Sequence, residues 1–510
     1  MAQSNKIKHQ QWKILALMFL AYGGTMLCRN TIGALSPAMS EDPDIMLTTS
    51  QLGEILAWGA VGSIVGKLFS GIVADLIGGR RALFACVFTV ALSTMTLSLP
   101  SSVFFFSLIH FIMRASQSIG WPSVGLLINQ WFPRQHHGKA WGIVSTSSRI
   151  HTALSAVLLG VLVAAFSWRS SFLIAGSFYL VASFLFLYLI KSSPTKVGLK
   201  DLSQGTAHTN LSETLKSIFK WVIILKKDLC FVYLTLMMMM LFVLYDFIGY
   251  APLYLNQATG LSAADAAKAS AFLPLGALFS VVIFGFLYDH LKFTNLRILL
   301  ICCLSLSTLF VGLLWSISSF GLSPGATQIL SFILIFMFGF TFAPAWYLPV
   351  NVYITGLGGY HIGFTLTLVD VFGYISSAIF NVVAGRLAES SWDYYLLFVM
   401  AFSVLATAFL FMFFRECKRK SSLAQLSLAL HKIIHGNASC RSEDHTQTPS
   451  LKHSRVHVTT GDSVTNAEQL VLAVFVEIDR LWMQIRQRVD ISHAQIHRVF
   501  FQFKIDIVCG

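Results

Sequence analysis

At 510 residues, 55% hydrophobic and only 12% charged, with a mean hydropathy of +0.69, the chain has half the charge of a water-soluble protein, in which charged residues make up about 25%. That excludes a cytosolic enzyme and turns the formal net charge of +13 into a matter of membrane topology rather than a nucleic-acid footprint. The composition reads as an all-α polytopic membrane protein, with the lipid bilayer and a small-molecule substrate as its partners.

A helix crosses a bilayer with about 20 apolar residues. Such runs are predicted at 12–35, 53–73, 81–98, 103–126, 140–166 and 171–190, and then at 229–254, 269–288, 297–317, 327–350, 362–387 and 394–414. Lys6, Lys8 and Lys13 precede the first run without a small-residue cleavage site, so it reads as a retained span rather than a signal peptide. Twelve spans therefore fall into an N-terminal six-helix half (1–190), a central loop (191–227), a C-terminal six-helix half (228–414) and a tail (415–510). Sixteen of the 23 Lys and Arg residues before position 415 lie in inner segments if both termini are cytoplasmic, and only Arg169, Lys268 and Arg386 lie outside. The first outer loop carries Glu41, Asp42 and Asp44 instead. That asymmetry is the positive-inside pattern.

The tail is polar and holds seven of the fifteen histidines, together with an amphipathic stretch from Glu468 to Val489. His431/His435, His453/His457 and His493/His497 repeat a spacing that can set two imidazoles on one helix face. No third ligand accompanies them, so neither metal nor cofactor is expected, and the tail reads as a partly helical or disordered cytoplasmic segment. The eight cysteines form no CxxC pair. Most, such as Cys86, Cys230, Cys302 and Cys303, lie in apolar runs as small hydrophobes. Met237–Met240 and Phe104–Phe106 read as lipid-facing or helix-packing surface, and Gly59, Gly62 and Gly66 as a close helix contact.

Four basic residues lie inside spans: Arg29, Lys67, Arg114 and Arg149. A charge at membrane depth costs several kcal/mol unless it faces a wet cavity or a partner. Two acids, Asp246 in span seven and Asp370 in span eleven, are equally out of place. Each either carries a proton, pairs with a basic residue or caps a helix break. His110 reads as structural, and Glu54 reaches water near the outer end of span two.

Gly71-Ile-Val-Ala-Asp75-Leu-Ile-Gly78-Gly79-Arg80-Arg81, between spans two and three, resembles the loop signature of the major facilitator superfamily. Gly285-Phe-Leu-Tyr-Asp289 repeats it at the matching place in the second half. The resemblance implies a gating role for Asp75, Arg80, Arg81 and Asp289. Trp168-Arg169 before span six and Arg114-Ala-Ser-Gln117-Ser-Ile-Gly120 in span four are further features of that superfamily, and the arginine of the latter assists proton movement in some members.

A narrower resemblance, to the organophosphate:phosphate antiporters, covers most of residues 12–415. It rests on Tyr22 to Met39 with Arg29, Lys67 to Gly71, Gly120-Trp121-Pro122, Asn129 to Pro133, Gly142 through His151, Pro194 to Leu199, Gly363-Phe364-Thr365 and Phe372-Gly373-Tyr374. In that family a phosphate is gripped by one arginine from each half, helped by a lysine and a histidine. An arginine suits the task because its planar fork bonds oxyanions bidentately and keeps its proton. The resemblance implies Arg29, Lys67, His151 and Tyr22 as substrate ligands. It also implies departures: Leu244 stands where the second-half arginine is expected, Asn30 where a lysine follows the first, and Pro274 where an acid lies in span eight.

The expected function is secondary active transport of a small organic anion, phosphorylated solutes included, by alternating access in the inner (cytoplasmic) membrane of a bacterium. The expected unit is a monomer that works by antiport or proton symport, with Asp246, Asp370 and Arg114 as coupling candidates. A proton-coupled carrier of a carboxylate or amino acid is the alternative within the class, and a transporter-like membrane sensor the alternative outside it. No Walker loop or hydrolase motif points to an enzyme.

Overall fold

In lipid every backbone N–H and C=O must be satisfied within its own segment, so long apolar runs fold as helices. The computed structural model describes residues 2–198, 220–288, 290–291, 293–356 and 362–439, and among them no strand occurs. The first half comprises α1 (Ala2–Arg29), α2 (Thr31–Ser40), α3 (Thr49–Ile77), α4 (Gly79–Thr96), α5 (Val103–Gln117), α6 (Gly120–Trp131), α7 (His137–Ala165) and α8 (Trp168–Leu189). After the short helix α9 at 220–227, the second half comprises α10 (Leu229–Thr259), α11 (Ala263–Ala269), α12 (Phe272–Tyr288), α13 (Phe293–Trp315), α14 (Pro324–Gly356), α15 (Ile362–Ser390) and α16 (Trp392–Ser439).

Ten helical stretches among the described residues are long and apolar enough to cross a membrane. The other two predicted spans are helical as well, but α4 opens on Arg80 and Arg81, and α1 gives way to α2 at Asn30. Two further spans are broken, one midway between α5 and α6 and one near its start between α11 and α12. Proline accounts for both. Pro122 and Pro274 have no N–H to offer the carbonyl four residues back, and those carbonyls belong to Ser118 and Ser270, the residues that end α5 and α11.

Each half has its own core. In the first, Met18, Val87, Leu127, Val144 and the fully buried Trp131 join α1, α4, α6 and α7, and the Trp131 indole donates to the Lys191 carbonyl at 2.8 Å. In the second, Phe247, Phe338, Phe380 and Tyr395 pack ring against ring across α10, α14, α15 and α16. The outer faces of the helices are apolar: Phe104, Phe178, Val181 and Phe286 are each more than two-thirds exposed. A surface of that kind belongs in lipid.

The halves meet where α3 lies on α15, α2 on α10, and α7 on α11 and α12. Glycines permit the approach. A Cβ at Gly385 of α15 would sit 2.9 Å from the Thr49 carbonyl oxygen, 3.0 Å from Gly53 Cα and 3.1 Å from the Ser50 oxygen, and one at Gly33 of α2 would sit 2.8 Å from the Gly249 oxygen. Polar clamps close the same end: Glu389 accepts from the Thr48 hydroxyl at 3.1 Å and the Ser50 N–H at 2.9 Å, and Asn256 donates to Glu41 at 2.9 Å. Beyond Arg415, which ends the main compact unit, the structure describes only the helical continuation of α16 to Ser439. Residues 440–510, with His453/His457, His493/His497 and Glu468–Val489, lie outside the described residues, as do the side chains of His431 and His435.

Candidate functional site

A cavity of about 780 Å³, part of it open to solvent, lies between the halves. Its first wall comes from α1 and α7, its second from α10, α12, α14 and α15. On the first wall Tyr22, Arg29 and Arg149 face inward with Ser148 and Thr152. The second is aromatic, with Phe242, Tyr245, Trp346 and Tyr374. Arg29 is the last residue of α1, so the break at Asn30 delivers a guanidinium where the helix ends.

Three arginines of the first half lean on tyrosines of the second. The guanidinium of Arg29 lies 5.8 Å from the ring centre of Tyr245, that of Arg114 5.6 Å from Tyr374, and that of Arg149 5.7 Å from Tyr347. A cation held over a ring face at this range is attracted by the ring quadrupole. Arg114 also donates to the Ser63 hydroxyl at 3.0 Å, and Arg149 to the Ser145 carbonyl at 3.3 Å. Among the described residues none of the three has a carboxylate within 4 Å.

Lys67 and Asp370 are brought together instead: Nζ donates to Oδ2 at 2.7 Å, an ion pair between α3 and α15 with both side chains partly shielded. Neither lines the cavity. Among the described residues Asp246 has no basic group within 4 Å, although Arg29 lies within electrostatic reach, and it accepts from the Ser377 hydroxyl at 2.5 Å and the Asn381 amide at 2.8 Å. The other amide atom, Asn381 Oδ1, is buried without a hydrogen bond. His151 lies behind the first wall. Its Nδ1 donates to the Ser147 carbonyl at 2.9 Å, its ring meets Phe19 edge-on at 5.5 Å, and Gly23 of α1 leaves the room that it occupies.

Leu244 is fully buried in the second-half core, while its neighbour Tyr245 faces the cavity. A side chain at 244 points into the bundle, so the helix phase presents the phenol at 245 to a ligand. Pro274 lines the cavity. Asn30 turns to Ser155, its Nδ2 donating to Oγ at 3.4 Å.

In the loop between α3 and α4, Gly78 adopts φ +80°, a conformation that favours glycine. Asp75 and Arg81 are exposed, and Asp75 makes no ion pair among the described residues. Arg80 donates through Nε and Nη2 to the Leu187 carbonyl at the end of α8. Asp289 lies outside the described residues. Two features of the cavity escaped the site predicted from sequence. Arg149 stood out as an intramembrane charge but had no assigned role, and nothing in the pattern separates Tyr245 and Trp346 from the many aromatic residues elsewhere in the chain.

A sequence profile described as the Major Facilitator Superfamily matches residues 18–381. The chain is 24% identical over 423 residues to a probable sulfoacetate transporter of Cupriavidus necator, covering 79% of this chain and 93% of that one. It is 24% identical over 433 residues to the glycerol-3-phosphate transporter of Bacillus subtilis, covering 81% and 94%, and 20% identical over 384 residues to a hexuronate transporter of the same species, covering 73% and 88%. Among solved structures, a bacterial homolog to the human lysosomal transporter Spinster superposes with a TM-score of 0.65 at 14% identity over 80% of this chain and 97% of that one. A D-xylose–proton symporter superposes with a TM-score of 0.63 at 15% identity over 79% and 97%.

Proposed function

The chain belongs to the Major Facilitator Superfamily and is a multi-pass membrane transporter rather than an enzyme, and on that footing we propose that it carries a small organic anion, together with a proton, across the bacterial inner membrane by alternating access. The observation that carries the reading is the pair of guanidiniums, Arg29 and Arg149, on one cavity wall with no carboxylate within 4 Å among the described residues. Two guanidiniums in a half-enclosed site, neither in direct contact with a carboxylate among the described residues, are a trap for an oxyanion. The relatives named for sulfoacetate, glycerol-3-phosphate and hexuronate support an anionic cargo.

Twelve spans with both termini cytoplasmic follow from the basic-residue asymmetry. The clamped end bearing Glu41 and Glu389 is then the outer one, and the cavity opens toward the cytoplasm. Each chain holds a whole cavity between its own halves, which fits a monomer. Phosphate exchange is disfavoured by the second wall: with Leu244 packed away, that wall offers phenols and an indole but, among the described residues, no second-half arginine to clamp a dianion. Proton coupling is favoured by Asp246, an acid at span depth whose hydrogen bonds come from neutral donors and which lies within electrostatic reach of Arg29 in the substrate cavity, whereas Asp370 is engaged directly by Lys67.

The test is uptake of radiolabelled sulfoacetate, glycerol-3-phosphate, glucuronate and benzenesulfonate into proteoliposomes, with and without an inward proton gradient, for the wild type and Arg29→Gln. Gradient-driven accumulation of any of them that the substitution abolishes supports the proposal. Absence of flux for the whole panel, or flux indifferent to Arg29→Gln, sinks it.

A further inference from the structure

One wall of the cavity supplies charge, and the other supplies shape. On the second wall the rings converge on Trp346, which packs on Phe242 at 4.6 Å and 36° and on Tyr245 at 5.1 Å and 34°, with Phe342 edge-on at 6.3 Å. Tyr374 closes against Phe242 edge-on at 4.9 Å. Trp346 stands between Pro344 and Pro349, both inside the continuous helix α14, so the helix that presents it loses a backbone hydrogen-bond donor on either side.

The polar inventory of the cavity is equally restricted. Among the described residues no Asn, Gln, Asp, Glu or His lines it. The two small hydroxyls on the first wall are committed to their own helix, Thr152 donating to the Ser148 carbonyl at 2.7 Å and Ser148 to the Ser145 carbonyl at 2.9 Å. A polyol body needs a partner for every hydroxyl that leaves water, and each one left unpaired weakens binding by about ten- to a hundredfold. Beyond the two guanidiniums, the lining offers neutral hydroxyls only the Tyr22, Tyr245 and Tyr374 phenols and the Trp346 N–H, mostly donors, whereas the amides and carboxylates that pair a run of sugar hydroxyls are missing from the lining among the described residues. A flat ring needs only faces to stack on, and four are provided.

We infer that the substrate is an aromatic acid, its ring seated among Trp346, Phe242 and Tyr245 and its oxyanion headgroup between Arg29 and Arg149. The inference rests on the anion-transport reading of the same cavity and adds the class of body that the anion carries. Charge alone would admit glycerol-3-phosphate or a hexuronate; the second wall selects against both. Carboxylate and sulfonate headgroups share the chemistry that the two arginines read, so a sulfonate serves as the probe.

Benzenesulfonate stays ionised and does not leak through a bilayer as a neutral acid, so its saturable uptake by the full chain in proteoliposomes can be followed directly and competed. Benzoate should compete at least tenfold better than glycerol-3-phosphate or glucuronate. Trp346→Leu should weaken benzenesulfonate at least tenfold, with Trp346→Phe restoring most of the affinity, and Arg149→Gln should weaken every anion alike. Competition in the reverse order, or a Trp346→Leu variant with unchanged affinity, overturns the aromatic assignment while leaving anion transport intact. Failure of all these anions to bind or move removes both together.

Discussion

Replacing Gly385 with alanine should prop open the end that seals the cavity. The new methyl group would lie 2.9, 3.0 and 3.1 Å from three backbone atoms of α3, where ordinary contact for a Cβ begins at 3.4 Å. Backbone cannot swing aside, so α15 must withdraw by about 0.5 Å. One turn further on, Glu389 bonds Thr48 and Ser50 at 3.1 and 2.9 Å, and a retreat of that size stretches both. Overpacking of this kind costs about 1–3 kcal/mol. The gain in helix propensity from Gly to Ala applies to both conformations and cancels. The cost falls on the sealed conformation alone, so at about 1.4 kcal/mol per decade the equilibrium should shift by roughly 5- to 150-fold away from it. Nitroxide labels at the exposed positions Asp44 and Ser390 would read the change as a population at longer separation. Gly325→Ala, at a site with nothing within 4 Å, serves as control. An unchanged distance distribution in Gly385→Ala would refute the reasoning.

Lys67→Met and Asp370→Asn should each lower thermal stability by about 1–3 kcal/mol, less than for a fully buried pair because water reaches part of both side chains. The double substitution should recover more than half of the summed loss, and simple additivity would show that the two groups do not act as a pair. Asp246→Asn should abolish accumulation driven by a proton gradient while sparing counterflow exchange of the anion; persisting gradient-driven uptake would remove Asp246 from the coupling. In the outer loop, the Trp168 indole N–H at 2.6 Å and the Asp44 N–H at 2.8 Å hold the Asp42 carboxyl below its usual range. The fold therefore favours the ionised form. Its contribution is present above about pH 4 and lost as the pH falls, so melting temperature should decline more steeply on acidification in the wild type than in Asp42→Asn, and parallel slopes would dismiss the contact.

Hydropathy made the helices legible because each span is a long unbroken apolar run, and every predicted span is helical. It could not show the breaks at Asn30, Ser118 and Ser270, since an average over about 20 residues passes smoothly across a single lost hydrogen bond. Two of those breaks border the cavity, one at Arg29 and one at Pro274. The site was legible where a charge had no other reason to be in a span, as with Arg29 and Arg149. Lys67 and Asp370 stand out in the sequence on the same ground, but sequence alone does not pair groups 303 positions apart. Family resemblance put an expected arginine at Leu244, and the helix phase makes Tyr245 the residue that faces the cavity. His151 illustrates the reverse case: a titratable residue near the right place whose ring the Gly23 contact turns inward.

All four intramembrane cations belong to the half that is synthesised first, and the tyrosines and acid that meet them belong to the second. At about 5–20 residues per second, Lys67 leaves the ribosome roughly 15–60 s before Asp370 exists. Arg29, Arg149, Lys67 and Arg114 each wait in turn for Tyr245, Tyr347, Asp370 and Tyr374, and each stranded charge costs several kcal/mol in lipid. The nascent first half must therefore linger in the translocon or against a chaperone, and a chain truncated after residue 198 should be cleared by membrane proteases unless the missing half is supplied as a separate polypeptide.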